Sequence, residues 1–267
     1  MTRTPSSSPS PSSHTTRAHS FNTAAAEYAA NRPSYPPALF DAIEDMAARP
    51  LTGARVVDVG AGTGIATALL HARGADVIAV EPGEAMAAEF RRTLPTVPVI
   101  RGTGDTLPLA DASADFLTYA QAWHWTNPAH SIPEALRVLR PNGALALWWN
   151  TEALDIPWIA AAADRIERHF GIDPVVEKNG SGARAAAALS TAPTPRLTVA
   201  QRTLRWSRRV PLDTHLANLG SHSIFLVLGK EGAEAFLTEE RAHLLETFPE
   251  GEVEEVYDVL LIVATRS

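Results

Sequence analysis

The chain has 267 residues, of which 45% are hydrophobic and 20% charged, with a formal net charge of −7 and no cysteine. That length allows a full hydrophobic core, in one domain with an insertion or in two. The acidic balance argues against a nucleic-acid binder, which needs a basic face. The missing cysteine excludes disulfides, thiolate nucleophiles and cysteine metal sites, and no apolar run approaches a membrane span.

Residues 1–20 are mostly Ser, Thr and Pro and lack the apolar centre of a secretory signal. Too little of this stretch can be buried to offset its ordering entropy, so it reads as a disordered tail, and a cytoplasmic location is expected. From Phe21 the composition changes. Ala24 to Ala30 reads as a helix, ended by Asn31-Arg32-Pro33-Ser34-Tyr35-Pro36-Pro37, since each proline disfavours helix in the residue before it. Leu39, Ile43 and Met46 form the stripe of a second helix.

Short β-branched runs then alternate with helical segments. The predicted strands are Arg55–Gly60, Asp76–Glu81, Val97–Arg101, Ala114–Ala120 and Gly143–Asn150, and the predicted helices Gly64–Arg73, Glu84–Thr93 and Pro128–Arg140. Parallel neighbours need crossover connections, so this order predicts a doubly wound α/β core over residues 21–150. After Asn150 the rhythm breaks. Ile156 to Phe170 suits an amphipathic helix, and a Gly/Asn loop at Lys178–Gly182, an alanine-rich segment and Thr191-Ala192-Pro193-Thr194-Pro195 follow. Residues 151–198 therefore read as a lid insertion covering the sheet edge. Residues 199–267 read as the rest of the core with further lid helices: strand Val199–Arg209, helices Leu212–Leu219 and Glu231–Thr247, and a buried strand Tyr257–Arg266.

The most informative stretch is Val56-Val57-Asp58-Val59-Gly60-Ala61-Gly62-Thr63-Gly64, with the acid Glu81 at the end of the next apolar run. Glycines let the backbone turn sharply against a ligand, and a carboxylate placed there can take both hydroxyls of a ribose. A nucleoside-containing cofactor is the reading. Gly64 comes one residue earlier than the third glycine of the dinucleotide fingerprint, and Asp58 is a second departure from nicotinamide binders.

Together D-V-G-A-G-T-G, E-P-G-E-A-M and G-D-T-L-P-L resemble the class I S-adenosylmethionine-dependent methyltransferases, more closely the type 11, bacterial small-molecule branch. The segments Phe21–Pro36, Ala120–Trp125, Glu134–Asn150 and the terminal strand strengthen the resemblance. It implies a Rossmann-like seven-stranded sheet, mostly parallel with the last strand antiparallel, and a helical lid. It also implies S-adenosylmethionine as cofactor and S-adenosylhomocysteine as product. Gly60, Ala61, Gly62 and Gly64 would approach the methionine part and ribose, with Asp58 organising the turn and Glu81 binding the ribose. Pro82, Gly83 and Met86 would pack on adenine. Gly104 and Asp105 match the segment at the adenine amino edge, where Thr103 replaces an acid common in the family. Gln121 would face the methionine moiety, and Tyr28 and Arg32 would clamp its carboxylate, since arginine suits that oxygen pair.

Methyl transfer needs acceptor, methyl and sulfur held in line and water excluded. His124 is the candidate base, with packing in an aromatic cluster as the alternative; a carboxylate acceptor needs no base. Trp123 and Trp125 could wall the pocket, and Trp149 and Asn150 could touch substrate, while Trp148 reads as core. His215 and His222 read as surface or lid residues, and no spacing supports a metal site. The expected partner is a small molecule, with no nucleic acid or membrane and a monomeric or homodimeric chain. The alternatives are a cyclase or decarboxylase using the same cofactor, a non-catalytic cofactor-binding module and, more distantly, a nicotinamide oxidoreductase.

Overall fold

Apolar side chains alternate along the strands and sort the core onto two faces of one sheet. On the strand Leu139–Glu152, Ala144, Ala146 and Trp148 join a cluster with Leu39, Phe40, Ile43, Leu70 and Phe90. Their neighbours Leu145, Leu147 and Trp149 join Ile132, Val138, Ala185 and Leu189 on the other side. A strand buried on both faces must be apolar throughout, as parallel sheets require.

The computed structural model describes residues 31–171, 174–191, 197–222, 225 and 230–266. Its strands are β1 Arg55–Val59, β2 Asp76–Val80, β3 Val99–Ile100, β4 Ala114–Ala120, β5 Leu139–Glu152, β6 Leu197–Pro211 and β7 Glu252–Arg266. They form one sheet in the order β3-β2-β1-β4-β5-β7-β6. The pairs among β1 to β5 are parallel, and β7 runs antiparallel to β5 and β6. This is the Rossmann-like sheet with an antiparallel last strand that the resemblance implies. The strand order reverses between β1 and β4, which places the ligand crevice beyond their carboxyl ends.

The helices are α1 Pro37–Ala47, α2 Ile65–Ala72, α3 Glu84–Thr93, α4 Pro128–Val138, α5 Pro157–Phe170, α6 Pro174–Ser190, α7 Leu212–Gly220 and α8 Lys230–Thr247. The clusters put α1, α2 and α3 on one face and α4 and α6 on the other. Among the described residues no helix is long and apolar enough to cross a membrane. The N-terminal tail, the helix expected over Ala24–Ala30 and Tyr28 lie outside the described residues.

Several boundaries differ from the sequence reading, among them β3, which is shorter than expected at Val99–Ile100, and β5, which is longer at Leu139–Glu152. Helix α4 stops at Val138 instead of Arg140, because Arg140 precedes Pro141 and is pushed out of helical geometry; Leu139 starts β5 instead. The loop expected at Lys178–Gly182 lies within helix α6. Gly182 serves close packing there: a Cβ on it would fall 2.2 Å from Leu260 Cδ2. Helix α6 packs on the face formed by β5, β7 and the edge strand β6. Strands β6 and β7 both run longer than expected, because they pair without interruption from Leu197↔Arg266 to Pro211↔Glu252.

Candidate functional site

The turn after β1 is held by main-chain bonds to the end of β2. The Gly60 and Ala61 N–H groups both donate to the Val80 carbonyl, at 2.8 and 3.2 Å. Gly60, Gly62 and Gly64 have φ of 68°, 59° and 94°, the left-handed region that side chains disfavour. Space separates their roles. A Cβ on Gly60 would lie 2.6 Å from Ala122 Cβ, and one on Gly64 would lie 2.6 Å from Leu94 Cδ1. A Cβ on Gly62 would meet nothing within 4 Å. Gly60 and Gly64 are thus fixed by packing, whereas Gly62 faces open room.

Glu81 closes that room. It is 6% exposed, and its Oε2 accepts from Gly62 N–H at 2.8 Å while Oε1 accepts from Gly83 N–H at 2.6 Å. Burial raises its pKa, opposed by these two N–H groups and by the charge of Arg101, while Asp58 adds to the rise. Each carboxylate oxygen has a second lone pair, so two hydroxyl donors can bind without breaking either bond. In the same turn, Thr63 Oγ1 is buried and has no hydrogen-bond partner among the described residues. An orphan polar atom and an open glycine beside a buried acid suit a polar ligand such as a nucleoside with an amino-acid tail. Thr63 was not singled out from the sequence; its place inside the glycine turn was the available signal.

Asp58 lies below the turn, fully buried. Its carboxylate accepts from Thr67 Oγ1 at 2.6 Å and Thr118 Oγ1 at 2.9 Å. Burial pushes its pKa up to about 6 against the opposing pull of the two hydroxyls. Thr67 and Thr118 also escaped the sequence reading, although Thr118 is the polar member of the apolar run Phe116-Leu117-Thr118-Tyr119.

Of the residues expected against adenine, Met86 is buried and Pro82 exposed; the Pro82 carbonyl accepts from Arg101 Nη2 at 2.5 Å. Gly104 is closely overlaid, since a Cβ there would lie 2.8 Å from Thr126 Cγ2 and 3.0 Å from Tyr119 Cε1. Asp105 Oδ1 accepts from Asn127 N–H at 2.9 Å, joining this loop to the start of α4. Gln121 sits at φ 56° just past β4, and its N–H donates to the Trp148 carbonyl at 2.9 Å. A non-glycine residue held in that conformation is a strained position of the kind found at ligand sites.

The residues expected on the acceptor side divide. Trp123, 3% exposed, packs edge-on to Tyr119 with ring centroids 4.9 Å apart. Trp149, 1% exposed, lies in the same apolar cluster. Both are buried among core residues. Asn150 is bonded at both ends, its Oδ1 accepting from Trp206 Nε1 at 3.1 Å and its Nδ2 donating to the Ser34 carbonyl at 3.5 Å. It ties the sheet to the N-terminal segment.

His124 and Trp125 lie in a 3-10 turn, Trp123–Trp125, with their rings 4.6 Å apart. Trp149 Nε1 donates to His124 Nδ1 at 3.3 Å. An indole N–H can only donate, so Nδ1 is the acceptor and the neutral ring carries its proton on Nε2. With Nδ1 engaged by the indole, His124 also fits the packed aromatic cluster that is the alternative to a base. Trp148 is core, edge-on to Tyr35 at 5.7 Å. His215, expected at the surface or in the lid, lies on α7 with Nδ1 2.7 Å from the buried Glu255.

A Rossmann-like sheet whose first two strands aim a glycine turn and a buried acid at one crevice defines a nucleoside-cofactor protein. The comparisons narrow the class. A family profile described as a methyltransferase domain matches residues 57–147. An uncharacterized methyltransferase of Mycobacterium tuberculosis is 40% identical over 188 residues, 70% of each chain. Among solved structures, a candidate type II methyltransferase from Anaeromyxobacter dehalogenans matches with a TM-score of 0.61 at 28% identity, over 88% of this chain and 96% of that one. A candidate methyltransferase from an antibiotic biosynthesis pathway of Anabaena variabilis shares the fold, with a TM-score of 0.59 at 21% identity over 89% and 99%. The chain belongs to the class I S-adenosylmethionine-dependent methyltransferases.

Proposed function

We propose that this protein transfers a methyl group from S-adenosylmethionine to a small-molecule acceptor by in-line displacement. The observation that carries the reading is Glu81, buried and bonded to the N–H groups of Gly62 and Gly83, beside a glycine whose Cβ position is open. When bound, the cofactor supplies a sulfonium-activated methyl; the carbon–sulfur bond breaks as the acceptor's lone pair bonds to carbon, leaving a neutral thioether. Glu81 would hold the ribose hydroxyls, and the turn from Gly60 to Gly64 the tail. Met86 and the Gly104–Asp105 segment would border the base. Arg32, and Tyr28 by resemblance, would take the carboxylate.

His124 as an Nε2–H donor favours an acceptor that already carries its lone pair, such as a carboxylate oxygen, because no proton then has to leave. The helical segments after β5 and β6 would form a lid that excludes water from the crevice. The test is incubation with S-adenosylmethionine carrying a labelled methyl and a metabolite extract. The expected result is a labelled product heavier by one methylene, together with S-adenosylhomocysteine. Cofactor binding without S-adenosylhomocysteine would instead favour a cyclase, a decarboxylase or a non-catalytic module, and tighter binding of NADH would overturn the cofactor assignment.

A further inference from the structure

The methyl-transfer chemistry makes no use of a buried polar cluster where β6, β7 and α7 meet the N-terminal segment. Arg208 and Glu255 are directly opposed cross-strand partners. Glu255 is 2% exposed, and its Oε2 accepts from Arg208 Nε at 2.5 Å. On the other side Glu255 Oε1 meets His215 Nδ1 at 2.7 Å and Asn218 Nδ2 at 3.3 Å. The carboxylate is thus gripped from two elements, and it fixes the plane of the Arg208 guanidinium. Burial opposes its charge, but His215 and Arg208 outweigh that and bring its pKa down to about 2.

The other end of Arg208 reaches the segment that enters the sheet. Its Nη2 donates to the Asn31 carbonyl at 3.0 Å and its Nη1 to the Arg32 carbonyl at 3.4 Å. The Arg32 side chain in turn donates from Nη2 to the Ser221 carbonyl at 3.3 Å, beyond the end of α7. Two residues on, the Ser34 carbonyl accepts from Asn150, and Tyr35 packs on Trp148, whose carbonyl binds Gln121 N–H. The backbone carrying Arg32 is therefore pinned from β6 and β5, beside the carboxyl end of β4.

We propose that Arg208, oriented by Glu255, is a positioning residue for the cofactor's amino-acid tail: by holding the Asn31 and Arg32 carbonyls it sets Arg32 where it can meet the tail's carboxylate. This rests on the cofactor reading above. A guanidinium fork is suited to the task, because its donors sit in a fixed plane and one carboxylate can orient the whole group. Lysine, a single point charge, cannot span Glu255 and two carbonyls in that way.

The test compares two ligands by calorimetry: S-adenosylhomocysteine, which carries the amino-acid tail, and 5′-methylthioadenosine, which lacks it. Arg208→Gln strands the charge of Glu255, so a second variant, Arg208→Gln with Glu255→Gln, removes both charges; thermal melting checks that each is folded. In a folded variant, the expected result is a Kd for S-adenosylhomocysteine raised about tenfold, as for one lost charge-assisted contact, with the Kd for 5′-methylthioadenosine unchanged. Arg208→Lys should restore little of the loss. Equal weakening of both ligands, or of neither, overturns the proposal and leaves Arg208 a stabilising residue. If the unaltered protein binds neither nucleoside, the cofactor reading fails and this inference falls with it.

Discussion

Replacing Asp58 by Asn should stabilise the protein at neutral pH and leave it unchanged in acid. Asp58 is fully buried, and its pKa rises from the ordinary 3.8 to about 6 because burial disfavours the charge. The sign follows from proton binding. The folded state holds the Asp58 proton more tightly than the unfolded chain, so folding benefits fully below pH 3.8. That benefit is lost as pH rises through about 6. The difference, at about 1.4 kcal/mol per pKa unit, is roughly 3 kcal/mol by pH 7.5. Asn should keep the local hydrogen bonds. Its Oδ1 can accept from Thr67 Oγ1, and its Nδ2 can donate to Thr118 Oγ1, whose own proton can turn to the Val57 carbonyl 3.4 Å away. The roughly 3 kcal/mol is thus an upper bound, or up to about 10 °C in melting temperature for a chain of this size. The assay is urea or thermal unfolding of both proteins from pH 3.5 to 7.5. Other titrating groups contribute to both curves, so the difference isolates Asp58. A difference that stays flat with pH, or an Asn variant less stable at pH 7.5, would refute the reasoning.

Substitutions at four positions test the site. Gly60→Ala should unfold at lower temperature, since its Cβ meets Ala122 at 2.6 Å. Gly62→Ala should cost only the backbone strain, about 1–2 kcal/mol, but weaken S-adenosylhomocysteine binding out of proportion to its melting shift. Glu81→Ala should weaken cofactor binding by about 1–3 kcal/mol, the cost of leaving polar partners unsatisfied; an unchanged calorimetric Kd would remove Glu81 from the site. His124→Gln, which sets an amide N–H near the place of Nε2, should retain more turnover than His124→Ala. Equal loss in kcat would return His124 to the role of a base.

The sheet was legible because its signals are local. A β-branched run leads directly into a glycine turn, and an acid ends the next strand 19 residues after Gly62, where the structure joins the two. The loop at Lys178–Gly182 was misread because a glycine that admits Leu260 looks, in sequence, the same as one that makes a turn. The partners of Asn150 and Trp149 were not legible, because a position at a strand end does not reveal what fills its hydrogen bonds. The Arg208–Glu255 pair was invisible for a different reason: its partners meet only through the register of β6 on β7, across 47 residues of chain. Asp58 stood out beside the glycine turn, but the two threonines that hold it come from α2 and β4.

Trp123 and Trp149 are buried in the core and Asn150 is bonded at both ends, whereas His124 and Trp125 are half-buried and share one 3-10 turn. In the proposed reading these two residues meet the acceptor. That pairing suits a flat or apolar acceptor with one oxygen to orient. Trp125→Ala should then act on the acceptor alone. Removing an indole contact costs about 1–3 kcal/mol, or a rise of roughly tenfold or more in acceptor KM, with the Kd of S-adenosylhomocysteine unchanged. Steady-state kinetics on the first methylated substrate identified would measure the one, and calorimetry the other. An unchanged KM with weakened cofactor binding would move Trp125 to the donor side of the crevice and leave His124 without an aromatic neighbour in acceptor recognition.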